Sequence, residues 1–425
     1  MHNARTDQLA PLPHGVSPIV WDRALGSIVW ATDGRELIDL TSGVLIANIG
    51  HSHPAVVEAV SRQVARLSAT FVGHHPGRER YASELLEAAS AAGAVPFDGV
   101  CFTTTGAEAV DAAVRIARAA TGRRTVVAFL GGYHGKTTET SAFGGMPGLR
   151  GQVAGLGATP VLHVPYPAGN AAGSPDDLDS MFDRALALAL ASAPDDVAAV
   201  LVEPYLGAGG GVVPPEGFLD RCRDFADRLG ARLILDEVQS GFGRTGPLFS
   251  FQTMSASPDL VVLAKGIANG IPMSAVLANS TDLAAPLAGN LWSSYSANPV
   301  ACAAASATLR ALRDEVDAAR TIASGQEIVA HISAWGDAGI GSVDGSGFSL
   351  GVALRTADGR PDHDRARRIV VTAAACGAVL LPPGGPDGAS VRLAPPLTST
   401  DHELERGLEA LRDAFKRTRT DGAGH

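Results

Sequence analysis

The stretch Arg232-Leu233-Ile234-Leu235-Asp236-Glu237-Val238-Gln239 decides the fold class. Its apolar residues run without alternation and stop at two acids. Such a run reads as a strand covered on both faces, as in a mainly parallel sheet. An acid at the carboxyl end of such a strand stands where α/β proteins hold their ligands, so Asp236 is expected to meet a cation there: a metal, an arginine or a protonated ring nitrogen. A second apolar run, residues 259–263, ends in Ala264-Lys265-Gly266. A lysine in that position cannot easily reach water. It either pairs with an acid or does chemistry.

Working outward, further short apolar runs fall at residues 100–103, 125–130, 161–164, 197–202 and 275–277, with helical periodicity between them. Val110, Ala113, Val114 and Ala117 share one helix face; Leu219, Cys222, Ala226 and Leu229 share another, with Gly230 placed to end it. Earlier, residues 26–40 alternate around Asp33-Gly34, a hairpin signal, after a start that reads as irregular to Pro18. Beyond Ala301 helices lengthen and strands become fewer. The last helix is expected to start at Thr400, with Glu403 at capping-box spacing, and to bury Leu404, Leu408, Leu411 and Phe415. The expected class is α/β: a large domain on a mostly parallel seven-stranded sheet (residues 51–305) and a small α+β domain from both chain ends (residues 1–50 and 306–425).

The 425 residues suit two or three domains, and a 46% hydrophobic content supplies a large core. Lys plus Arg number 34 against 44 acids, a net charge of −10 and the wrong sign for a nucleic-acid partner. Cys101, Cys222, Cys302 and Cys376 are scattered, which argues against a disulfide framework or zinc knot. His51 and His53 have HxH spacing but no further ligands in view, so no metal is expected. No apolar run is long enough for a membrane span, and the expected location is the cytoplasm.

Only three residues are lysines: Lys136, Lys265 and Lys416. Chemistry that needs a primary amine therefore has three side-chain candidates, because arginine stays protonated. Lys416 lies in a basic terminal segment and is expected to be solvated. Lys136 lies in Gly131-Gly132-Tyr133-His134-Gly135-Lys136-Thr137, which imitates a nucleotide-binding P-loop but has Leu130 where the pattern needs glycine. With Asp236-Glu237 as an imitation magnesium site, a P-loop-like NTPase is the alternative from another class. The stretch Thr103-Thr104-Thr105-Gly106-Ala107-Glu108 reads two ways: a helix start whose N–H groups hold a phosphate, or a tight turn capped by threonine. An acid for a pyridinium nitrogen, a lysine for an aldehyde and a helix start for a phosphate together answer the needs of pyridoxal 5′-phosphate.

In order along the chain stand Asp39-Leu40-Thr41-Ser42-Gly43, Gly50-His51-Ser52-His53-Pro54, Thr105-Gly106-Ala107-Glu108-Ala109 and Gly132-Tyr133-His134-Gly135. Glu203-Pro204, Leu235 to Gly246, Lys265-Gly266, Asn298-Pro299 and Arg392-Leu393-Ala394-Pro395-Pro396-Leu397 follow. In this order they resemble the class III, fold-type I pyridoxal-phosphate aminotransferases. The resemblance implies that Lys265 bonds the cofactor and then moves the substrate Cα proton, while Asp236 keeps the pyridine nitrogen protonated. It implies that Val238 and Tyr133 pack on the two ring faces and that Gln239 bonds the phenolic oxygen. Thr105, Gly106 and Ala107 would hold the phosphate, with His134 structural or on the phosphate side. Ser294 would reach the partner subunit's phosphate, making a homodimer with shared sites, and Arg392 would hold the substrate carboxylate.

Two positions bear on the substrate. Many members carry a gating glutamate where this chain has Ala208, so Arg392 is expected to stay free for a carboxylate. The surroundings of Glu203 and Val44 are similar to the dialkylglycine decarboxylase branch, yet that branch has glutamine in place of Val44. The expected activity is amino transfer between an amino acid or amine and a 2-oxo acid by a ping-pong mechanism. Dialkylglycine-type decarboxylation and racemisation are the rivals within the fold.

Overall fold

The computed structural model describes residues 17–70, 74–90, 97–153, 159–168, 175–285, 291 and 293–419. The irregular start expected to Pro18 lies almost wholly outside them. Strands β1 (Trp21–Leu25), β2 (Ile28–Ala31) and β3 (Glu36–Asp39) form an antiparallel meander, with the expected hairpin turning at Asp33-Gly34. All seven apolar runs become one sheet: β4 (Gly99–Thr103), β5 (Thr125–Phe129), β6 (Val161–Val164), β7 (Val197–Val202), β8 (Arg232–Asp236), β9 (Leu260–Leu263) and β10 (Ser274–Ala278). Its order is β4-β10-β9-β8-β7-β5-β6, and only β10 runs antiparallel to its neighbours.

Every residue of β5, β7 and β9 is buried because both faces of the sheet are covered. On one face Leu201, Ile234, Val262 and Val276 pack with Ala109, Val110, Ala113 and Val114 of the helix Gly106–Thr121. On the other, Val200, Leu233, Leu235 and Val261 join Phe182, Phe218 and Phe225. The helix Phe218–Leu229 ends at Gly230 in left-handed geometry, as its sequence dictates.

Past the long helix Pro299–Glu315 the chain builds β11 (Ile340–Ser346), β12 (Ser349–Leu354), β13 (Ala378–Val379) and β14 (Ser390–Leu393). Strands β11, β12 and β14 form a three-stranded antiparallel sheet, while β13 pairs in parallel with β3, so both chain ends share one four-stranded sheet. The helix Asp401–Arg417 begins with the expected Thr400–Glu403 capping box and buries Leu404, Leu411 and Phe415, with Leu408 partly covered.

Between β3 and the first long helix the backbone does something the sequence did not announce. Ser42, Gly43, Val44 and Leu45 all have positive φ, forming a left-handed turn. Non-glycine residues avoid that region, at a cost of about 1–2 kcal/mol each, so other contacts must hold them there. Asp39, fully buried, accepts from Thr41 N and Thr41 Oγ1 with one oxygen, and from Gly43 N and His51 Nε2 with the other. Arg244 Nη2 donates to Ser42 Oγ at 3.0 Å.

Candidate active site

The carboxyl edge of the large sheet gathers the chemistry. Thr104-Thr105 follow β4, Gly131 to Gly135 follow β5, Glu203 follows β7, Asp236 ends β8, Lys265 follows β9, and Gly270 to Met273 lead into β10. Parallel strands deliver their ends to one side, so residues far apart in sequence meet around one cavity of about 380 Å³. Of the residues singled out from the sequence, Thr105, Gly106, Ala107, Tyr133, His134, Asp236, Val238, Gln239 and Lys265 line it.

Asp236 is buried, and its Oδ1 accepts from Val238 N at 3.0 Å. Its Oδ2 lies 2.7 Å from Nδ1 of His134, which is equally buried. Burial alone would drive the imidazole towards neutrality. The hydrogen bond and charge of Asp236, with the charge of Glu203 added, outweigh it and raise the His134 pKa. His134 is thus the hydrogen-bond partner of the acid.

Lys265 has a φ of 44°, another left-handed non-glycine residue at the site. Burial pulls its ammonium down to about 8, against the opposing charges of Glu203 and Asp236. A lysine so tuned holds a far larger neutral fraction near physiological pH than an ordinary lysine, and a nucleophile or base requires the neutral form. Tyr133 is shifted the other way, its phenol raised by burial and by the charges of Glu203 and Asp236.

The helix start is shaped for close approach. Thr105 Oγ1 accepts from Glu108 N at 3.2 Å, and Glu108 Oε2 accepts from Thr104 N at 2.8 Å. Threonine capping and a lined cavity coexist here, so the two readings of this stretch are compatible. A Cβ on Gly106 would stand 3.1 Å from Val238 Cγ1, so the wall tolerates a side chain there only if Val238 gives way.

Three of the singled-out residues do not line the cavity. Ser294 is exposed in the turn before the helix Pro299–Glu315. Val44 is 46% exposed on the left-handed turn, and Ile46 just beyond it is the residue that reaches the wall. Arg392, on β14, donates from Nη1 to Gly207 O at 3.3 Å and from Nη2 to Pro382 O at 3.0 Å. Its Nε is buried without a partner, and its charge still bears on both Lys265 and Tyr133. No ion pair to Arg392 occurs among the described residues, and Ala208 supplies no acid beside it. His51 and His53 each bond a carboxylate, Asp39 at 2.8 Å and Glu315 at 3.1 Å.

Sequence reasoning missed several residues of the wall. Lys136, set aside with the imitation nucleotide loop, lines the cavity with its side chain exposed. Its rarity was the available signal. Glu203 does not line the cavity but stands behind two residues that do, accepting from Tyr133 N and Gln239 Nε2; it was marked only as half of a Glu-Pro pair, yet it follows a buried strand just as Asp236 ends one. Ile46 and residues 270–273 carried no signal at all.

The family model for class-III aminotransferases matches residues 11–415. The chain belongs to that family. It is 38% identical over 402 residues to a 2-aminoadipate transaminase of Pseudomonas putida, covering 93% of this chain and 95% of that one. It is 36% identical over 420 residues to the 4-aminobutyrate aminotransferase GabT of Escherichia coli, covering 95% and 96%. Among solved structures, a thermostable omega transaminase mutant from Pseudomonas jessenii superposes with a TM-score of 0.88 at 25% identity, each chain covered to 98%. This class-III aminotransferase therefore moves amino groups to a 2-oxo acid with pyridoxal 5′-phosphate, and the NTPase alternative falls. The cavity fits that cofactor on its own terms. It offers an amine whose pKa burial has lowered to about 8, a buried carboxylate and a helix start on one wall.

Proposed function

We propose that this aminotransferase acts on amino acids carrying a carboxylate at both ends, with a 2-oxo acid as acceptor, as a cytoplasmic homodimer. The observation that carries the substrate reading is a pair of cations around Lys265. Lys136 lines the cavity, and Arg392 lies near enough for its charge to bear on Lys265, with its buried Nε unmet and no ion pair among the described residues. The planar fork of arginine suits a carboxylate next to the reacting carbon, and the long arm of lysine suits a distal one. The dicarboxylic substrate in the name of the Pseudomonas putida relative supports the same reading.

When bound, the cofactor supplies an aldehyde that carries the amino group and a ring that takes up electrons from Cα. Lys265 would hold that aldehyde until the substrate amine displaces it, and the amine so freed would be the group that moves the substrate Cα proton. Asp236, oriented by His134, would keep a proton on the cofactor's pyridine nitrogen. Val238 and Tyr133 would flank its ring, Gln239 would meet its phenolic oxygen, and Thr105, Gly106 and Ala107 would take its phosphate. Ser294, exposed and not lining its own cavity, is assigned to the partner subunit's phosphate, and Val44 to the substrate. The corresponding domain division is residues 51–305 for the large unit and 1–50 with 306–425 for the small one.

A donor screen followed through the cofactor's visible absorbance tests this. Dicarboxylic amino acids should turn over fastest, and Lys136→Ala should raise KM for them but not for a monocarboxylic donor. Equal rates for simple amines would sink the substrate reading. Carbon dioxide release from 2-aminoisobutyrate at a matching rate would instead favour the decarboxylase rival.

A further inference from the structure

Glu203 is a buried carboxyl to which the reaction as read above gives no task. It is 3% exposed and leaves the end of β7 next to the strand that ends in Asp236. Its Oε1 accepts from Tyr133 N at 2.7 Å, and its Oε2 accepts from Gln239 Nε2 at 3.1 Å. The two bonds differ in kind. A backbone N–H can only donate, so Oε1 is committed as an acceptor. The Gln239 amide has a donor edge and an acceptor edge, and rotation of the group exchanges them. An ionised Glu203 can be met only by the donor edge, which leaves one N–H of Gln239 for the cavity that this side chain lines.

We propose that Glu203 is a positioning residue for the transamination site, fixing the Gln239 amide so that an N–H is presented to the cofactor's phenolic oxygen. The proposal rests on the reading of Gln239 given above and adds the group that orients it. The same carboxyl also anchors the backbone of Tyr133, so one residue sets two walls of the cavity. A protonated Glu203 would donate instead, calling for the amide carbonyl and turning the group over. The charges around it are His134, Asp236, Lys265 and Arg392, with the phenols of Tyr133, Tyr166 and Tyr205. Burial pushes the Glu203 carboxyl up to about 7, aided by Asp236 and opposed by His134, Tyr133 N and Lys265, so both forms fall within the working range.

The test compares the holoenzymes of Glu203→Gln, Gln239→Ala and the double variant, reading cofactor loss during dialysis and the pH titration of visible absorbance. The near-isosteric Gln at 203 can still accept from Tyr133 N but must donate to Gln239, imposing the turned-over amide. Each single variant should lose cofactor about tenfold faster, the worth of one buried hydrogen bond. The double variant should be no worse than Gln239→Ala alone, because the effect runs through one amide. Multiplying effects in the double variant would overturn the proposal. So would normal retention in Glu203→Gln while Gln239→Ala leaks cofactor. Normal retention in Gln239→Ala would show instead that the Gln239 reading itself is wrong, and the proposal falls with it. The wild-type enzyme gives a second measure should Glu203→Gln fail to fold. Its absorbance should show an inflection near pH 7 that Gln239→Ala abolishes, and persistence of that inflection counts against the proposal.

Discussion

At the scale of single residues, the site works by setting protons on groups that would otherwise hold them differently. Lys265 must be neutral to bond an aldehyde, and burial brings its titration down to about 8 from the usual 10.5. Well below that value the neutral fraction falls tenfold per pH unit, and between pH 8 and pH 7 it falls about fivefold. The apo protein should therefore take up cofactor about five times faster at pH 8 than at pH 7 and gain little above pH 9, as stopped-flow absorbance would measure. A flat profile would mean that Lys265 is not the group that reacts. Asp236 is held by Val238 N and His134, and it balances an imidazole whose pKa it raises. Asp236→Asn removes one partner of a buried charge pair, a loss of about 3–5 kcal/mol. Expressed at the transition state, that is about a hundredfold to a thousandfold or more in kcat. Near-normal turnover in that variant would show that the carboxylate does not face the ring.

Among the elements, the C-terminal helix offers the cleanest trial of local rules. Thr400 Oγ1 accepts from Glu403 N at 3.2 Å, and Glu403 Oε2 accepts from Thr400 N at 2.8 Å. Thr400→Ala should cost about 1 kcal/mol, visible as a small drop in melting temperature with kcat unchanged. A loss of activity would mean that the helix start does more than cap. The same comparison of scales explains what could be read from the chain beforehand. Runs such as Val197–Val202 are apolar at every position because both sheet faces are covered, so they were legible as strands, and a strand end followed by Asp236 or Lys265 was legible as a site. The left-handed turn at Ser42 to Leu45 was not. Its conformation opposes the preference of Val44 and is imposed by Asp39 and Arg244, contacts that exist only once distant segments meet. The pairing of β13 with β3 was hidden for the same reason, and Ile46 reaches the cavity wall only because that turn aims it there.

For the molecule as a whole, the decisive residue is Arg244, because it joins the two chain ends to the large sheet. It is fully buried in the segment that follows β8. Its Nη1 donates to Phe348 O at 3.1 Å and Pro395 O at 2.5 Å, and its Nη2 donates to Ser42 Oγ at 3.0 Å and Asn48 Oδ1 at 2.6 Å. Among the described residues no carboxylate pairs with it, and burial pulls its guanidinium down to about 10. Replacing a buried ion by an apolar residue of similar size is often harmless, provided that its partners are also satisfied. Here four oxygens from three separate segments would be left behind, at about 1–3 kcal/mol for each that finds no other donor. Arg244→Met should therefore destabilise the holoenzyme by about 3–5 kcal/mol, while Arg244→Lys, keeping charge but not the fork, should lie between. The functional consequence follows from what the four acceptors support. Ser42 and Asn48 flank the turn that leads to Ile46, and Pro395 lies just past Arg392. Loosening them should raise KM for the 2-oxo acid more than it lowers kcat, because Asp236 and Lys265 belong to the large sheet and stay in place. A stability loss with KM unchanged would reduce Arg244 to a strut, and an unchanged melting temperature would show that the acceptors find other donors.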